Sequence, residues 1–246
     1  MKYKLLDVES KLFKHNIIQL DDETNARDYA RCEEKMMAEH SPYYVQHQLD
    51  ANDLKGIHAF ECLGFRFIEF RIFRHQQLVD QAIGSRYFFP FGCELLGDDN
   101  ATRKAIFEIT AHHGSHDRFT RDPLISNELA KKRLELYNTK SLESYPRQFV
   151  YGLINQQSGE LIGIRNGIFS EPGIVKYFYT FMKKGFTDPK YTAMLETCVQ
   201  EALSQRKITR VEAISSGSNV QEMNDSTLLQ GFVVDRTTVL MRKIFK

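Results

Sequence analysis

The sequence predicts a mixed α/β fold, and three observations carry that expectation. Residues 148–182 hold three strand-like runs at hairpin spacing, separated by the turn-forming "QQSG" and "SEPG". Helical and strand patterns alternate before and after them. Finally, "AFECLGFRFIEFRIF" (Ala59–Phe73) and "STLLQGFVVDRTTVLM" (Ser226–Met241) each read as a helix end, a Gly-Phe turn and a strand. An internal duplication explains this echo, and so does independent use of a common helix–Gly–aromatic–strand junction.

Taken in order, Tyr3–Val8 is strand-like and Ile17–Leu20 suits a second strand. Asp22–Glu39 reads as a polar helix, and Tyr43–Leu49 alternates as a strand. Asp50 and Asn52 offer caps to the helix in "NDLKGIHAFECL", which Gly64 ends because glycine takes the left-handed turn cheaply. "FRFIEFRIF" alternates apolar and charged residues, the pattern of a half-exposed strand. "YFFPFG" suits a packed linker or an edge strand. Ala101–His113 is a helix, "GSHDRFTRDP" a loop, and "ISNELAKKRLELYNTKSLE" a long amphipathic helix. Strands follow at Gln148–Asn155, Glu160–Phe169 and Ile174–Met182. Asp188-Pro189 starts a helix that runs to about Arg206, proline being favoured at the first helical position. Thr209–Ile214 is a strand, Asn219–Gln230 a helix and Val233–Phe245 a final strand.

The 246 residues suit one large domain or two small ones, with 42% hydrophobic content to fill a core. A net charge of +1 gives no global field to attract nucleic acid or a membrane. No apolar run approaches the roughly 20 residues of a membrane span. "MKYKLLDVESKLF" has no signal-peptide core, so a cytoplasmic protein is expected. Cys32, Cys62, Cys93 and Cys198 are scattered without a C-x-x-C pair, which suits reduced thiols rather than a metal site or disulfides.

From Ala101 onward the order of elements resembles the GCN5-related N-acetyltransferase (GNAT) superfamily. "GELIGIRNGIF", "YFYTFMKKGFTDPKYTAMLETCVQEAL" and "SNVQEMNDSTLLQGF" carry the likeness. In the first half, "LLDVESKLFKHNIIQL", "YYVQHQLDANDLKGIHAFECLGFRFIEF" and "SHDRFTRDP" resemble the bacterial members that acylate dTDP-linked amino sugars, the dTDP-fucosamine acetyltransferase type. The resemblance implies a partial GNAT-like N-terminal domain (1–85) and a GNAT acyltransferase domain (86–246). It implies transfer of an acyl group from acetyl-CoA or 3-hydroxybutyryl-CoA, without metal, to the amine of a dTDP-linked amino-deoxy sugar, by direct attack. Lipopolysaccharide or other cell-surface glycan synthesis is the expected setting, and exposed sheet edges invite a homodimer. Two alternatives stand beside it: a GNAT acting on another amine, and a non-catalytic binding protein of this fold.

Site residues follow from the same resemblance. The family polarises the thioester with a backbone N–H of its fourth strand, which falls at Phe181, with Met182 beside it. Its pyrophosphate loop corresponds to Lys183, Lys184, Gly185, Phe186, Thr187 and Asp188. There the family's Gln/Arg-x-x-Gly-x-Gly/Ala is replaced by "FTDPKY": both glycines are missing, Pro189 has no N–H and Asp188 is anionic. Asn219 corresponds to the asparagine that bonds the pantetheine arm; it also suits a helix cap, and the two roles are compatible. Ser226, Thr227 and Leu228 stand where many relatives carry a tyrosine that protonates the leaving thiolate. In "HHGSHD" we expect His116 to be the base, with Tyr179 and Tyr177 as rival positions near the amine. Arg118, Phe119 and Arg165 suit a nucleotide diphosphate, guanidinium to phosphate and ring to base.

Overall fold

The computed structural model describes residues 1–78, 88–111, 118–228 and 230–245. In chain order the elements are β1 (Tyr3–Leu5), α1 (Asp7–Phe13), β2 (Ile17–Leu20), α2 (Ala26–His40), β3 (Tyr44–Asp50), α3 (Leu54–Cys62), β4 (Arg66–Gln77) and β5 (Phe91–Leu95). There follow α4 (Asn100–Ala111), α5 (Arg118–Arg121), α6 (Asn127–Glu143), β6 (Gln148–Asn155), β7 (Glu160–Glu171) and β8 (Ile174–Met182). The last are α7 (Pro189–Ser204), β9 (Arg210–Ser216), α8 (Val220–Leu228) and β10 (Val233–Ile244). All the strands join one mixed sheet in the order β1-β2-β3-β10-β4-β9-β8-β7-β6-β5.

Helices cover both faces. On one, α2 and α3 bury Tyr29, Met36 and Phe60 against β2, β3 and β10, while α7 buries Leu195, Val199 and Leu203 against β6–β9. On the other, Ile106 and Ile109 of α4 and Leu134 of α6 pack on Val150, Ile164 and Phe181. Phe13 of α1 and Phe119 of α5 pack on Ile17 and Tyr44 of that face.

The two Gly-Phe phrases occupy matching places. Gly64 (φ +90°) and Gly231 (φ +74°) both take the left-handed turn, and Phe65 and Phe232 behind them are both buried. Asp53 caps α3 by accepting from the N–H of Gly56, as Asn219 caps α8 by accepting from that of Glu222. The strands that follow, β4 and β10, pair antiparallel with Arg71 opposite Thr238. Arg71 also faces Ser216 of β9, and Thr238 faces Asp50 of β3. The units β3-α3-β4 and β9-α8-β10 are thus related by an approximate two-fold through the Arg71–Thr238 pair. Each places its second strand beside the other's first, so β10 separates β3 from β4. The expected boundary at 85/86 lies outside the described residues.

Some expectations shift. The run read as a strand to Val8 turns at Leu6 into α1, which buries Glu9 and Phe13. "YFFPFG" contributes the edge strand β5. The largest change is on β4. Its charged residues Glu69 and Arg74 are buried, while Phe67 and Phe70 are about half exposed. The charges face a cavity instead of solvent.

His47 of β3 is fully buried against the Phe60 ring, 4.5 Å away. Burial lowers its pKa to about 4, against smaller opposing effects of Thr24 and Asp21. The unfolded chain therefore binds its proton more readily, and the folded state loses stability as pH falls from about 6.5 towards 4. Urea unfolding should show this group costing about 2 kcal/mol at pH 5 relative to pH 7.5. His47→Leu should flatten that part of the pH dependence; equal slopes for the two proteins would refute the assignment.

Candidate active site

β8 and β9 pair in parallel only at Ile174–Arg210, Val175–Val211 and Lys176–Glu212, and then part. A cavity of about 600 Å³ occupies the gap, lined on β8 by Tyr177–Met182 and on β9 by Ala213–Ser216. At one opening lie Thr187 and Thr192 near the start of α7, with Asn219 and Gln221 at the start of α8. Under α5 and α6 it forms a chamber lined by Arg118, Arg133, Tyr137, Tyr179, Glu69 and Arg71. The strand β4 supplies Glu69, Arg71 and Arg74, so the first half of the chain forms part of the wall.

A bulge shapes the β8 side. Asn166 pairs with Tyr179 and Gly167 with Tyr177, leaving Phe178 as an extra residue. The buried Asn166 holds it there: its Oδ1 accepts from the Tyr179 N–H (2.8 Å) and its Nδ2 donates to Asn138 Oδ1 (2.7 Å). Without the bulge, residues 177 and 179 would share a face. With it, Tyr177 packs on the α7 side and Tyr179 on the α6 side, its ring stacked on Phe181 at 5.6 Å.

The bulge and the ladder also decide which amides face the cleft. The Tyr179 N–H is held by Asn166 of β7, and the Lys183 N–H donates to Ile162 O of the same strand at 2.7 Å. Alternation turns the N–H of Phe181, between them, towards β7 as well. This corrects the expectation that Phe181 donates to a thioester: the backbone groups on the β9 side belong to Thr180 and Met182.

On the α6 side, Glu9 of α1 is buried and gathers cations. Arg133 Nε donates to its Oε1 at 3.0 Å and Tyr137 Oη at 2.9 Å, while an Arg118 nitrogen lies 3.6 Å from the same oxygen. Burial raises the Glu9 carboxyl, but Arg133, Arg118 and the Tyr137 hydroxyl outweigh it, and the net shift is downward. Arg133 Nη1 also donates to Tyr179 Oη at 3.0 Å. On the α7 side, the buried Arg165 pairs with Glu196 of α7, and the buried Arg74 pairs with Glu222 of α8. Ser215 Oγ donates to Glu222 Oε1 at 2.7 Å, and Gln200 Nε2 to Glu196 Oε1 at 3.0 Å.

Of the expected residues, Phe181, Met182, Thr187, Asn219, Arg118, Arg165, Tyr177 and Tyr179 line the cavity. His116 lies outside the described residues. Lys183, Lys184, Gly185, Phe186 and Asp188 are not among the lining residues. Lys183 pairs with Glu160 at 2.6 Å, Gly185 takes the turn at φ +95°, and Phe186 packs edge-on against Tyr191 at 5.0 Å. Asp188 caps α7, its Oδ1 accepting from the Lys190 N–H at 3.0 Å, and that bond lowers its pKa. Its carboxylate therefore takes the place at the helix start where an anion would bind. Asn219 caps α8 and holds Glu222 with both ends of its side chain: Oδ1 accepts from the Glu222 N–H and Nδ2 donates to Glu222 Oε2 at 2.7 Å.

Two nucleotide contacts are corrected. Phe119 is fully buried between Phe13 and Tyr44, with the Arg118 and Arg133 guanidinium carbons each 4.8 Å from its ring centre. It anchors α5 and has no free face for a base. Arg165 is held by Glu196 on the α7 side and does not reach the chamber beside Arg118 as a free cation. Glu69, Arg71, Arg74, Arg133, Glu196 and Glu222 were missed. The spacing of Glu69 and Arg71 on β4 was the available signal, but on a strand it looks like a solvent face.

No protein-family model and no curated protein matches the sequence. Solved structures do. A GCN5-related N-acetyltransferase from Sphaerobacter thermophilus matches 98% of this chain and 76% of its own, with TM-score 0.64 and 14% identity. A tandem GNAT protein from the clavulanic acid biosynthesis pathway matches 93% of this chain and 75% of its own, with TM-score 0.61 and 10% identity. A functionally unknown conserved protein from Staphylococcus epidermidis matches 97% and 89%, with TM-score 0.64 and 12% identity. The chain has the GNAT fold. Among the described residues no helix is long and apolar enough to cross a membrane.

Asn166→Ala removes two buried hydrogen bonds and the support of the bulge. It should destabilise the protein by about 2–3 kcal/mol, read as a lower urea midpoint at unchanged slope. A change below about 0.5 kcal/mol would mean that the bulge needs no such support.

Proposed function

We propose that this chain is an acyl-CoA-dependent N-acyltransferase. The observation that carries the proposal is the parting of β8 and β9 after Lys176 and Glu212, with a cavity running through the gap to a chamber under α6. In this reading the thioester lies between Tyr177–Met182 and Ala213–Ser216. A cleft-side amide of Thr180 or Met182 polarises its carbonyl, a fixed dipole where negative charge develops. The acceptor amine sits in the chamber, where Glu69, Tyr137 and Tyr179 are titratable lining groups. Its nitrogen attacks the carbonyl carbon, the C–N bond forms and the C–S bond breaks; the proton that the nitrogen sheds passes, directly or through Glu69, to the departing thiolate, and CoA leaves as the thiol. No covalent enzyme intermediate is needed, and positioning supplies much of the rate.

The finer reading is a dTDP-linked amino sugar as acceptor, in a route to cell-surface glycan. Its support is the sequence resemblance and Arg118 at the chamber wall, a guanidinium suited to a phosphate. Phe119 and Arg165 lend it none. A second reading, a module of this fold that does not transfer acyl groups, is favoured by the Asp188 cap at the start of α7.

Thermal unfolding with acetyl-CoA, with dTDP and with both tests these readings. At 100 times its Kd, acetyl-CoA should stabilise the protein by about 2.7 kcal/mol, and dTDP should add to this. Stabilisation by acetyl-CoA alone moves the acceptor to another amine. If no CoA thioester stabilises the protein, it is not an acyltransferase.

A further inference from the structure

At its α7–α8 end the cleft opens on side chains without charge. Thr187 and Thr192 line it on one side, Asn219 and Gln221 on the other. Asn219 gives one lone pair of Oδ1 to the Glu222 N–H and one Nδ2 hydrogen to Glu222 Oε2, so each end keeps one hydrogen-bonding position. Two hydroxyls and two amides suit a neutral chain with amides and hydroxyls of its own. The pantetheine arm of a CoA thioester is such a chain.

The far end of CoA is different: an anionic pyrophosphate, which needs N–H donors or cations. The start of α7, where the resemblance places it, has committed its own. Pro189 has no N–H, Asp188 Oδ1 accepts that of Lys190 at 3.0 Å, and the Asp188 carbonyl accepts that of Tyr191 at 3.0 Å. The Lys190 ammonium lies 3.3 Å from Asp188 Oδ2, and the Lys183 ammonium 2.6 Å from Glu160. Lys184 is exposed, and a lone exposed lysine holds an anion weakly. A pyrophosphate here would lie beside the Asp188 carboxylate, like charge against like. The residues present do not fit it. Taken alone, the Asp188 cap suits a module that transfers nothing. Beside an open cleft with a neutral polar mouth, it suits a transferase that disregards the nucleotide.

We infer that this chain holds its acyl donor by the thioester and the neutral pantetheine arm alone, Asp188 keeping out the charged end, so that an acyl-pantetheine thioester serves equally whether CoA or a carrier protein bears it. This rests on the acyltransferase reading, which puts the thioester between β8 and β9. The reaction is the same for either donor. The C–S bond breaks, the C–N bond forms, and the proton shed by the amine ends on the pantetheine thiol.

Calorimetric titration of the full chain tests this without an acceptor. The titrants are acetyl-CoA, S-acetylpantetheine, adenosine 3′,5′-bisphosphate and an acyl carrier protein acetylated on its phosphopantetheine arm. Acetyl-CoA and S-acetylpantetheine should agree in Kd within about threefold, and the bisphosphate should not bind at about 1 mM. A site making two charged hydrogen bonds to the pyrophosphate would instead separate the two thioesters roughly a hundredfold or more. Asp188→Ser keeps a capping oxygen and removes the charge. It should tighten acetyl-CoA about fivefold and leave S-acetylpantetheine unchanged. The carrier thioester should bind at least as tightly as S-acetylpantetheine. Acetyl-CoA binding more than about tenfold tighter than S-acetylpantetheine, or binding of the bisphosphate, shows that the nucleotide is read. Either result overturns the inference and leaves the acyltransferase reading standing. So does an Asp188→Ser protein with unchanged acetyl-CoA affinity, or a carrier thioester more than about tenfold weaker than S-acetylpantetheine, which assigns CoA as the one donor. Failure of every thioester removes the acyltransferase reading and the inference with it.

Discussion

The pairing of β4 between β10 and β9 is the constraint on which the rest of the molecule depends. β4 gives its hydrogen bonds to the last strand of the second unit on one side and to the first on the other. That position joins two half-sheets into one continuous layer. It also brings Glu69, Arg71 and Arg74 to a cleft that the second half opens by parting β8 from β9. Remove β4 and the cleft loses its wall, the sheet its middle and Glu222 its cation.

Buried charge reinforces this interleaving. Arg242 of β10 grips Asp122, just after α5, with two bonds of 2.9 and 3.2 Å, and Tyr44 of β3 reaches the same carboxylate at 3.3 Å. Glu9 of α1 ties to Arg133 of α6, and Arg74 of β4 to Glu222 of α8. Such pairs add little net stability over well-packed apolar residues, but a wrong docking would strand each ion without its partner. They tie elements far apart in sequence into one arrangement, and three of these residues line the cavity.

Much of the fold was legible because local chemistry and tertiary role agree. Gly64 and Gly231 stop their helices through backbone freedom, Asp188 and Pro189 start α7 through a cap and a fixed φ, and "QQSG" and the Pro172-Gly173 of "SEPG" turn the chain between strands. What was hidden depended on the environment. α1 is seven residues, too short to show a period, and is held by burying Phe13. The charges of β4 look like a solvent face until the cavity is known. The bulge at Phe178 depends on Asn166, twelve residues away across a hairpin, so neither residue announces it. Asn219 does cap a helix, one of its two anticipated roles, and its amide also donates to Glu222.

The interleaving also governs how the molecule can be made. β3 and β4 are joined by a single short helix, yet they are not neighbours in the sheet; the gap between them belongs to β10. A ribosome that has delivered the first unit has delivered two strands that face an empty slot, with Val239 and Met241, which complete the core under α2 and α3, still to come. The first unit must wait, with that slot open, for the last strand to arrive. Early segments therefore need either shelter from other sheet edges or rapid completion of the chain, and severing the molecule between its halves would yield two fragments that each lack what the other holds.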